Sequence, residues 1–315
     1  MQNKQNILIT TSSFGKTDSK PLNTLQSKGF KVIMNPYGRK LTEPELILLI
    51  TQYKPTAIIA GVEPITANVL TSASGFLKTI ARCGIGLDSV DIDAARKLNI
   101  TVTNTPDAPT IPVAELTVGM IIGLLRKLHI SDTSIRKKQW ERPMGTLLFR
   151  KTVGIIGCGR IGCQLAHLLQ GFQCKILGSD LIANQNELFE LVDTQFLLSQ
   201  SDIVTLHIPY NIGNHHFINK SRLELMKQNA LLVNTSRGGL VDEKALFNWL
   251  TTRTTAGAAL DCFETEPYDG PLKELSNTLL TAHIGSYATE GRIAMENQAA
   301  ENLLAELCKI EKGKQ

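Results

Sequence analysis

The chain has 315 residues, 43% of them hydrophobic and 20% charged, and a formal net charge of +4. This length fits two domains of ordinary size, and the composition is that of a globular protein rather than a disordered one. The mild positive charge is spread along the sequence. It therefore argues against a nucleic-acid-binding protein, although it suits small anionic substrates.

The amino-terminal apolar run, Ile7 to Ile9, is far too short for a signal-peptide core or a membrane span. No other stretch has about 18 apolar residues without a charge, so we expect a cytoplasmic protein without membrane association. The six cysteines form no CxxC pair, and the histidines show no zinc-ligand spacing. We expect reduced thiols and no metal site.

Short apolar runs alternate with segments of helical periodicity along the chain. In the first hundred residues the predicted strands are NILIT, FKVIMN, AIIAG, LKTIARC and ITVTN, and the predicted helices are PLNTLQSKG, PELILLITQY and DIDAARKLN. The alternation indicates βαβ units with a parallel sheet. Strands that are apolar throughout indicate a sheet covered on both faces.

The same pattern resumes after a long predicted helix, VAELTVGMIIGLLRKLHISDTSIRKK. The strands predicted there are TVGIIG, CKILGSD, IVTLHIP, ALLVNTS, TAGAALD and TLLTAH, with GCQLAHLLQG, KSRLELMKQ and DEKALFNWLTT as helices between them. A last amphipathic helix ends the chain. We therefore predict an α/β protein with two doubly wound parallel sheets, one within residues 1–102 and one within 103–284.

The strand TVGIIG leads into GCGRIG and then into a helix. Gly157 permits a tight turn, Gly159 lets the backbone approach a pyrophosphate, and Gly162 lets the helix pack closely on the strand. The free N–H groups at the helix start favour a diphosphate. Asp180 follows the next strand at the offset of a ribose ligand, and its charge would repel a 2′-phosphate. The segment predicts binding of NAD rather than NADP.

Reduction of a keto acid by hydride transfer needs a group that holds the carboxylate, one that polarises the carbonyl and one that delivers a proton. An arginine can do the first two, and a histidine paired with a carboxylate can do the third. Arg237, Glu266 and His283 each follow a different predicted strand. Because ligands bind beyond the carboxyl ends of strands in open α/β sheets, we predict that these three form a catalytic site.

These segments together resemble one known family. In chain order they are ARCGIGLDSVD, NTPDAPTIPVAELTVGM, VGIIGCGRIG, NTSRGGLVDE, LDCFETEP and TAHIGS. The sequence resembles the NAD-dependent D-isomer-specific 2-hydroxyacid dehydrogenases over nearly its whole length. Within them it is similar to the phosphoglycerate dehydrogenase branch, which belongs to serine biosynthesis.

The resemblance implies a role for each matching position. Arg237 would bind the substrate, His283 would be the acid/base and Glu266 would orient it, while the backbone of Gly84, Ile85 and Gly86 would hold the substrate carboxylate. The implied cofactor-binding residues are Thr110, Gly157, Gly159, Arg160, Ile161, Gly162, Asp180, His207, Pro209, Thr235 and Asp261.

The resemblance also implies the domain arrangement. Residues 1–102 and 285–315 would form a flavodoxin-like substrate domain, and residues 103–284 a Rossmann-like NAD-binding domain. A homodimer would form through the NAD-binding domains and the helix from Val113 to Lys127. A chain of this length is not expected to carry the C-terminal regulatory domain of serine-feedback forms.

Three segments depart from the family pattern: TAH with Ala282, the loop AGVEPIT with Glu63, and YNIGNHHFIN, which lacks the usual threonine-rich turn. Ala282 replaces the usual proline before the catalytic histidine, which loosens that turn. Glu63 lies in the loop where phosphoglycerate dehydrogenases carry a phosphate-binding arginine, so Arg39, with Lys40 beside it, is the candidate to replace that charge. His215 and His216 receive no role and are expected to be solvated.

The leading hypothesis is an NAD-dependent dehydrogenase for a small 2-hydroxy acid, with D-3-phosphoglycerate as the first substrate to test. An unphosphorylated acid, such as glyoxylate, hydroxypyruvate or a larger keto acid, is the alternative within the family. A non-catalytic, NAD-responsive protein of the corepressor kind is the alternative from another class. Oxidation of formate or phosphite on the same frame is a further option that the residues around Arg237 and His283 disfavour.

Overall fold

The computed structural model describes residues 5–182 and 187–312, apart from the side chain of residue 311. The chain divides into two compact units, Met1–Pro109 with Ser286–Gln315, and Thr110–Gly285. We call these the first and the second unit. The sequence placed the division after residue 102, near the end of a strand, whereas the structure places it at the start of the helix that begins at Thr110.

The helices and strands of the described residues follow the alternation of the sequence. The strands are β1 (Asn6–Ile9), β2 (Lys31–Met34), β3 (Ala57–Ala60), β4 (Thr79–Arg82), β5 (Thr101–Thr103), β6 (Thr152–Ile156), β7 (Lys175–Ser179), β8 (Glu190–Leu191), β9 (Ile203–Leu206), β10 (Leu231–Asn234), β11 (Gly257–Leu260) and β12 (Thr278–Leu280). The helices are α1 (Lys20–Ser27), α2 (Glu43–Tyr53), α3 (Ala67–Ser72), α4 (Ile92–Lys97), α5 (Thr110–Leu125), α6 (Leu128–Arg136), α7 (Arg160–Gln170), α8 (Thr194–Gln200), α9 (Lys220–Leu225), α10 (Glu243–Thr252) and α11 (Thr289–Lys312).

The first unit is built on a parallel sheet with the strand order β2-β1-β3-β4-β5. Helices α2, α3 and α4 cover one face, where Leu46, Val69 and Ala95 belong to one core with Leu8 and Ile58. Helices α1 and α11 cover the other face. The strand order is that of flavodoxin-like folds, as the resemblance implied.

The second unit is built on a parallel sheet with the strand order β12-β11-β10-β9-β6-β7-β8. Helices α5 and α7 share one apolar core on one face, which includes Ile121, Leu165 and Ile155. Helices α8, α9 and α10 pack on the other face. The strand order reverses between β6 and β9, which is the point where doubly wound sheets bind dinucleotides. The glycine-rich turn follows β6 and therefore lies at this point.

The prediction of one long helix from residue 113 to 138 is wrong, because the structure has two helices there. Helix α5 ends at Leu125, α6 begins at Leu128, and Lys127 between them has a left-handed φ of 52°. The N–H of Thr146 donates to the Leu125 carbonyl oxygen at 3.0 Å, and the backbone of Gly145 lies against Leu125 and Arg126. A distant segment therefore ends α5, and the periodicity of the helix itself did not show this.

The predicted fold class, two doubly wound domains with parallel sheets, is confirmed. The sequence did not predict the short elements α3, α8 and β8. All six cysteines lie in the described ranges, and the structure pairs none of them. None of the helices within residues 5–182 and 187–312 has the length and apolar content needed to cross a bilayer.

Candidate active site

The second unit brings most of the predicted functional residues to one edge of its sheet. Strands β12, β11, β10, β9 and β6 are neighbours and run parallel, so their carboxyl ends lie together. The residues that follow these ends are Gly157 after β6, His207 after β9, Thr235 and Arg237 after β10, Asp261 and Glu266 after β11, and His283 after β12. The edge thus holds both the proposed catalytic residues and much of the cofactor set.

The carboxylate of Glu266 and the imidazole of His283 form a direct pair. His283 Nδ1 lies 2.9 Å from each carboxylate oxygen, and the Phe263 N–H donates to Glu266 Oε1 at 3.1 Å. Burial would raise the pKa of Glu266, but the hydrogen bonds from His283 and Phe263 and the nearby Arg237 guanidinium hold it below its ordinary value. The carboxylate is therefore ionised near neutral pH, and it orients the ring.

Arg237 is held at the start of a tight turn. Its Nη1 donates to the Ser236 carbonyl oxygen at 2.8 Å, and Asn234 Nδ2 donates to the Arg237 carbonyl oxygen at 2.9 Å. The next residue, Gly238, lies so close to the Phe263 peptide group that no side chain fits there. The loop of Arg237 and the loop of Glu266 are thus in direct backbone contact.

The glycine-rich turn has the shape that a dinucleotide needs. A Cβ at Gly157, whose φ is +99°, would lie 2.6 Å from the His207 carbonyl group. A Cβ at Gly162 would overlap the Gly157 carbonyl oxygen, whereas one at Gly159 would meet no atom within 4 Å. Two of the glycines therefore permit close backbone packing, and the third faces open space. Arg160 and Ile161 form the first turn of α7.

Asp180 lies directly after β7 and contacts the glycine-rich turn. The Cys158 N–H donates to Asp180 Oδ2 at 2.6 Å, and the Ile182 N–H donates to Oδ1 at 3.0 Å. The side chain is accessible to solvent. It is therefore placed beside the turn, where a ribose ligand would be needed.

His207 is half-buried as a residue, and the burial of its imidazole lowers its pKa to about 3. Its Nε2 lies 2.9 Å from Thr205 Oγ1, while Nδ1 has no hydrogen-bond partner among the residues that the structure describes. Pro209 accepts a hydrogen bond from Asn214 Nδ2 at 2.7 Å. A neutral imidazole with an unused nitrogen next to Gly157 is suited to contact a cofactor.

The remaining cofactor candidates have polar partners within the second unit or an unused polar atom. Thr235 Oγ1 shares a hydrogen bond of 2.9 Å with Thr117 Oγ1. Both carboxylate oxygens of Asp261 accept hydrogen bonds from the segment that contains His283. Thr110 begins α5, and its hydroxyl is buried without a partner in the described part of the chain.

In the first unit, the predicted carboxylate loop follows β4. The N–H of Gly84 donates to Thr105 Oγ1 at 2.8 Å, and the Ile85 carbonyl oxygen accepts from Asn104 Nδ2 at 2.7 Å. The role of the Gly84 N–H in binding a substrate stays a prediction that this geometry does not favour, because Thr105 already accepts from it. This leaves the backbone N–H groups of Ile85 and Gly86 as the candidates.

Arg39, the candidate ligand for a substrate phosphate, and Glu63, which lies where an arginine was expected, both have partners within the first unit. Arg39 makes a two-pronged ion pair with Glu45, with N–O distances of 3.0 and 2.6 Å. The hydrogen bonds from Arg39 and from the Thr42 backbone lower the pKa of Glu45 to about 2. Glu63 is buried and accepts hydrogen bonds from the Thr10 hydroxyl and the Gly61 N–H. The substrate role of Arg39 stays a prediction that this geometry does not favour.

A family model for the D-isomer-specific 2-hydroxyacid dehydrogenase NAD-binding domain matches residues 118–285. The chain belongs to this family. A glyoxylate reductase of Thermofilum pendens is 40% identical over 258 residues, which cover 78% of this chain and 76% of the relative. A protein of Thermus thermophilus with a solved structure is 33% identical, with a TM-score of 0.89 over 96% of this chain and 97% of that one.

The phosphoglycerate dehydrogenases of the family match only in part. That of Methanocaldococcus jannaschii is 36% identical over 271 residues, which cover 84% of this chain and 51% of the relative. The chain therefore spans about half the length of the phosphoglycerate dehydrogenases it matches. The predicted family and the predicted cofactor, NAD, are confirmed, and the residues of the glycine-rich turn fit a dinucleotide.

Several residues of the 2-hydroxyacid dehydrogenase frame were missed from the sequence. Thr105, Thr117 and Thr281 each donate or accept a hydrogen bond at a predicted site residue. The guanidinium of Arg82 lies against the Gly84 backbone. Threonines next to a motif are common, so a single sequence does not show which of them matter. Their hydrogen-bond partners become apparent only in the folded structure.

The two unexplained histidines lie at a junction of loops. His216 Nε2 is 3.2 Å from Glu264 Oε1, and its N–H donates to the Gly239 carbonyl oxygen at 2.8 Å. His215 stacks on His216 with a ring separation of 3.8 Å. The structure thus gives the half-exposed His216 an acidic partner in the loop of Glu266, and the expectation that the two histidines are solvated stays a prediction. The described residues contain no group of three possible metal ligands.

Proposed function

We propose that this protein is an NAD(H)-dependent oxidoreductase that interconverts a small 2-keto acid and the corresponding D-2-hydroxy acid. The observation that supports it most is the Glu266–His283 pair, with Nδ1 at 2.9 Å from both carboxylate oxygens, in the loop next to Arg237. This arrangement supplies an oriented acid/base beside a permanent cation. It lies on the same sheet edge as the glycine-rich turn.

The side chains of the pair divide the work by atom. Because Nδ1 of His283 faces Glu266, the proton that can be exchanged with a substrate is on Nε2. In the reductive direction the protonated ring donates this proton to the carbonyl oxygen, and Glu266 stabilises the cation. Arg237 binds the substrate carboxylate and polarises the carbonyl through its planar fork. A nicotinamide held at this edge of the sheet would supply or accept the hydride.

The second unit would hold the cofactor through the glycine-rich turn and through Asp180 beside it. Gly159 leaves open space for the diphosphate at the start of α7, and Gly157 and Gly162 allow the turn to pack closely on its own backbone and on His207. Asp180 would accept hydrogen bonds from the ribose hydroxyls. We propose that NAD is preferred over NADP because a carboxylate at this position repels a 2′-phosphate.

The nature of the substrate depends on the first unit. A phosphorylated acid such as 3-phosphoglycerate requires cations for its phosphate, and Arg39 is held by Glu45. Glu63 in the neighbouring loop is a buried carboxylate. These two observations favour the second candidate, an unphosphorylated acid such as glyoxylate or hydroxypyruvate. Among the relatives, some are named glyoxylate reductases and others phosphoglycerate dehydrogenases.

The test is NADH oxidation with glyoxylate, hydroxypyruvate, pyruvate, 2-ketoglutarate and phosphohydroxypyruvate. A higher kcat/KM for phosphohydroxypyruvate than for hydroxypyruvate would establish the phosphoglycerate assignment. Equal values, or a preference for the unphosphorylated acid, would remove it. The cytoplasmic location and a place in serine biosynthesis stay predictions from the sequence.

A non-catalytic, NAD-responsive protein is not favoured. Such a protein would need the dinucleotide turn but not an imidazole paired with a carboxylate beside an arginine. Binding of NADH without turnover of any acid in the panel would nevertheless support that class. Tight binding and turnover are therefore measured on the same preparation.

We further propose that the protein is a homodimer through its second unit, as the resemblance implied. Trp140, Met144 and Leu147 follow α6, and they are 82%, 86% and 63% exposed. Large apolar side chains clustered on one segment mark a protein–protein contact. Light scattering after size-exclusion chromatography should give twice the monomer mass, and Trp140→Arg with Leu147→Arg should give a monomer. A monomeric wild type at micromolar concentration would contradict the proposal.

A further inference from the structure

The segment that contains His283 is fixed by a single buried carboxylate. Asp261 Oδ1 accepts hydrogen bonds from Thr281 Oγ1 at 2.6 Å and from the Ile284 N–H at 2.8 Å. Asp261 Oδ2 accepts from the Gly285 N–H at 2.7 Å. Asp261 itself is only 1% exposed. These contacts lie on both sides of His283 in the chain.

The backbone of His283 needs such support. Its φ is +53°, in the left-handed region, which is unfavourable for a residue with a side chain. A proline at position 282 would restrict the turn, but this chain has Ala282, which is exposed. The conformation must therefore be maintained by contacts from outside the turn.

We propose that Thr281 is a positioning residue for His283 and that it acts through Asp261. We call this pair the Asp261–Thr281 clamp. Glu266 holds the His283 ring at 2.9 Å, and the clamp holds the backbone on either side of it. The inference rests on the proposed function, because it assigns His283 the role of the acid/base.

The strands explain why the clamp is rigid. The N–H of Asp261 donates to the Asn234 carbonyl oxygen at 2.9 Å, and the N–H of Thr281 donates to the Leu260 carbonyl oxygen at 3.0 Å. Both residues thus continue the ladders of β10, β11 and β12 beyond the ends of these strands. The Thr281 hydroxyl joins two adjacent strand ends at the point where His283 leaves the sheet.

The clamp is distinct from the cofactor role that the resemblance gave to Asp261. Oδ1 accepts two hydrogen bonds and Oδ2 accepts one, so Oδ2 keeps capacity for a further donor. A substitution of Asp261 would disturb both roles at once. Thr281 has no assigned cofactor contact, and its removal tests the clamp alone.

The variant for this test is Thr281→Val, which keeps the shape and removes the donor. The added methyl group replaces an oxygen that lies 2.6 Å from Asp261 Oδ1 and 4.0 Å from the Met120 sulfur, so the melting temperature of the variant is measured alongside kcat to show that it folds. Because the lost hydrogen bond is made to a charged carboxylate and part of its free energy supports the transition state, kcat should fall about three- to tenfold. The KM for NADH should stay within about twofold. Thr281→Ser restores the donor and should recover most of kcat.

The matched control is Thr278→Val in the same strand. Thr278 is buried, and its hydroxyl donates to the carbonyl oxygens of Leu272 and Leu275 at 2.9 and 2.8 Å, not to the segment of His283. The variant Thr278→Val should lower the melting temperature of the protein without changing kcat. A wild-type kcat in Thr281→Val, or an equal loss of kcat in Thr278→Val, would overturn the clamp.

A second readout separates failure of the clamp from failure of the proposed function. The ring resonances of His283 can be assigned by their absence in His283→Gln and followed by NMR as a function of pH. Thr281→Val should shift them and change their titration, and Thr278→Val should not. Unchanged His283 resonances in Thr281→Val would overturn the clamp even in a protein that reduces none of the acids. Shifted resonances in a protein without turnover would retain the clamp and reject the function.

Discussion

The loops at the carboxyl ends of the two sheets use their charged side chains differently. In the first unit Arg39, in the loop after β2, pairs with Glu45 in the first turn of α2 at 2.6 Å. Glu63 is buried among hydrogen-bond donors. In that unit these charges mainly hold loops in place.

In the second unit the charged side chains form a pair that solvent can reach. Glu266 and His283 have side chains that are 39% and 44% exposed, and they contact each other rather than the core. Their position follows from the adjacent parallel strands β11 and β12, which each of them follows in the chain. Their orientation follows from hydrogen bonds to the backbone of their loops. A charged residue at a strand end therefore indicates a catalytic site when its partner can exchange a proton, as His283 can. A pair such as Arg39 and Glu45, in which neither group exchanges a proton near neutral pH, indicates a structural role.

The largest effect should come from removing the imidazole of the second unit. His283→Ala should lower kcat by about 10²–10⁴-fold, because a positioned general acid contributes that much. His167→Ala is the matched control, since His167 is exposed on α7 away from the strand ends. Steady-state rates with the best 2-keto acid measure both variants. A loss of less than a few-fold in His283→Ala would reject the acid/base role.

The two arginines sharpen the contrast between the units. Arg237→Lys should lose nearly as much kcat/KM as Arg237→Ala, about 10²-fold, because an ammonium group cannot form the planar fork. Arg39→Lys and Arg39→Ala should change kcat/KM for an unphosphorylated acid by less than about threefold, since an exposed ion pair contributes little. A large loss of activity towards phosphohydroxypyruvate alone in Arg39→Ala would instead assign that residue to a phosphate.

The next effect concerns the choice of cofactor. Asp180→Ser should raise the ratio of kcat/KM for NADPH to that for NADH by about tenfold or more, because it removes the charge opposed to a 2′-phosphate. The exposed Asp132 on α6 provides the control variant Asp132→Ser. An unchanged ratio in Asp180→Ser would mean that another group selects the cofactor.

The smallest effect is on stability in acid. The pKa of His207 is lowered to about 3 by burial, so between pH of about 6.5 and 3 the unfolded chain binds a proton that the folded chain does not. Stability is therefore lost as the pH falls through this window. Between pH 7.5 and 5 the loss attributable to His207 should reach at most about 2 kcal/mol.

Urea unfolding of the full chain at pH 7.5 and at pH 5 measures this loss in the free energy of unfolding. His207→Gln should show less dependence on pH than the wild type, and His167→Gln should show the same dependence as the wild type. Equal pH dependence in all three proteins would mean that His207 accepts a proton as readily when folded as when unfolded.

The sequence predicted what depends on order along the chain. Alternating apolar and helical segments predict parallel strands, and parallel strands bring Arg237, Glu266 and His283 to one edge whatever the details of the loops. The glycine-rich turn was predictable for the same reason, since strand, turn and helix are contiguous.

The sequence did not predict contacts between distant segments. Gly145 and Thr146 end helix α5, and Thr105 accepts from the N–H of Gly84. The pairing of Arg39 with Glu45 depends on the capping box at the start of α2. The contacts of Gly145, Thr146 and Thr105 join segments that are about twenty residues apart, and hydrophobic periodicity does not encode such contacts.

The central claim is that Arg237 and the Glu266–His283 pair act on one substrate as a unit. The most direct measurement compares kcat for Arg237→Ala, His283→Ala and the double variant with the best 2-keto acid. Residues that act together are strongly non-additive, so the double variant should lose no more than about tenfold beyond the worse single variant. Losses that multiply fully would show that the two side chains act independently, and would contradict the account.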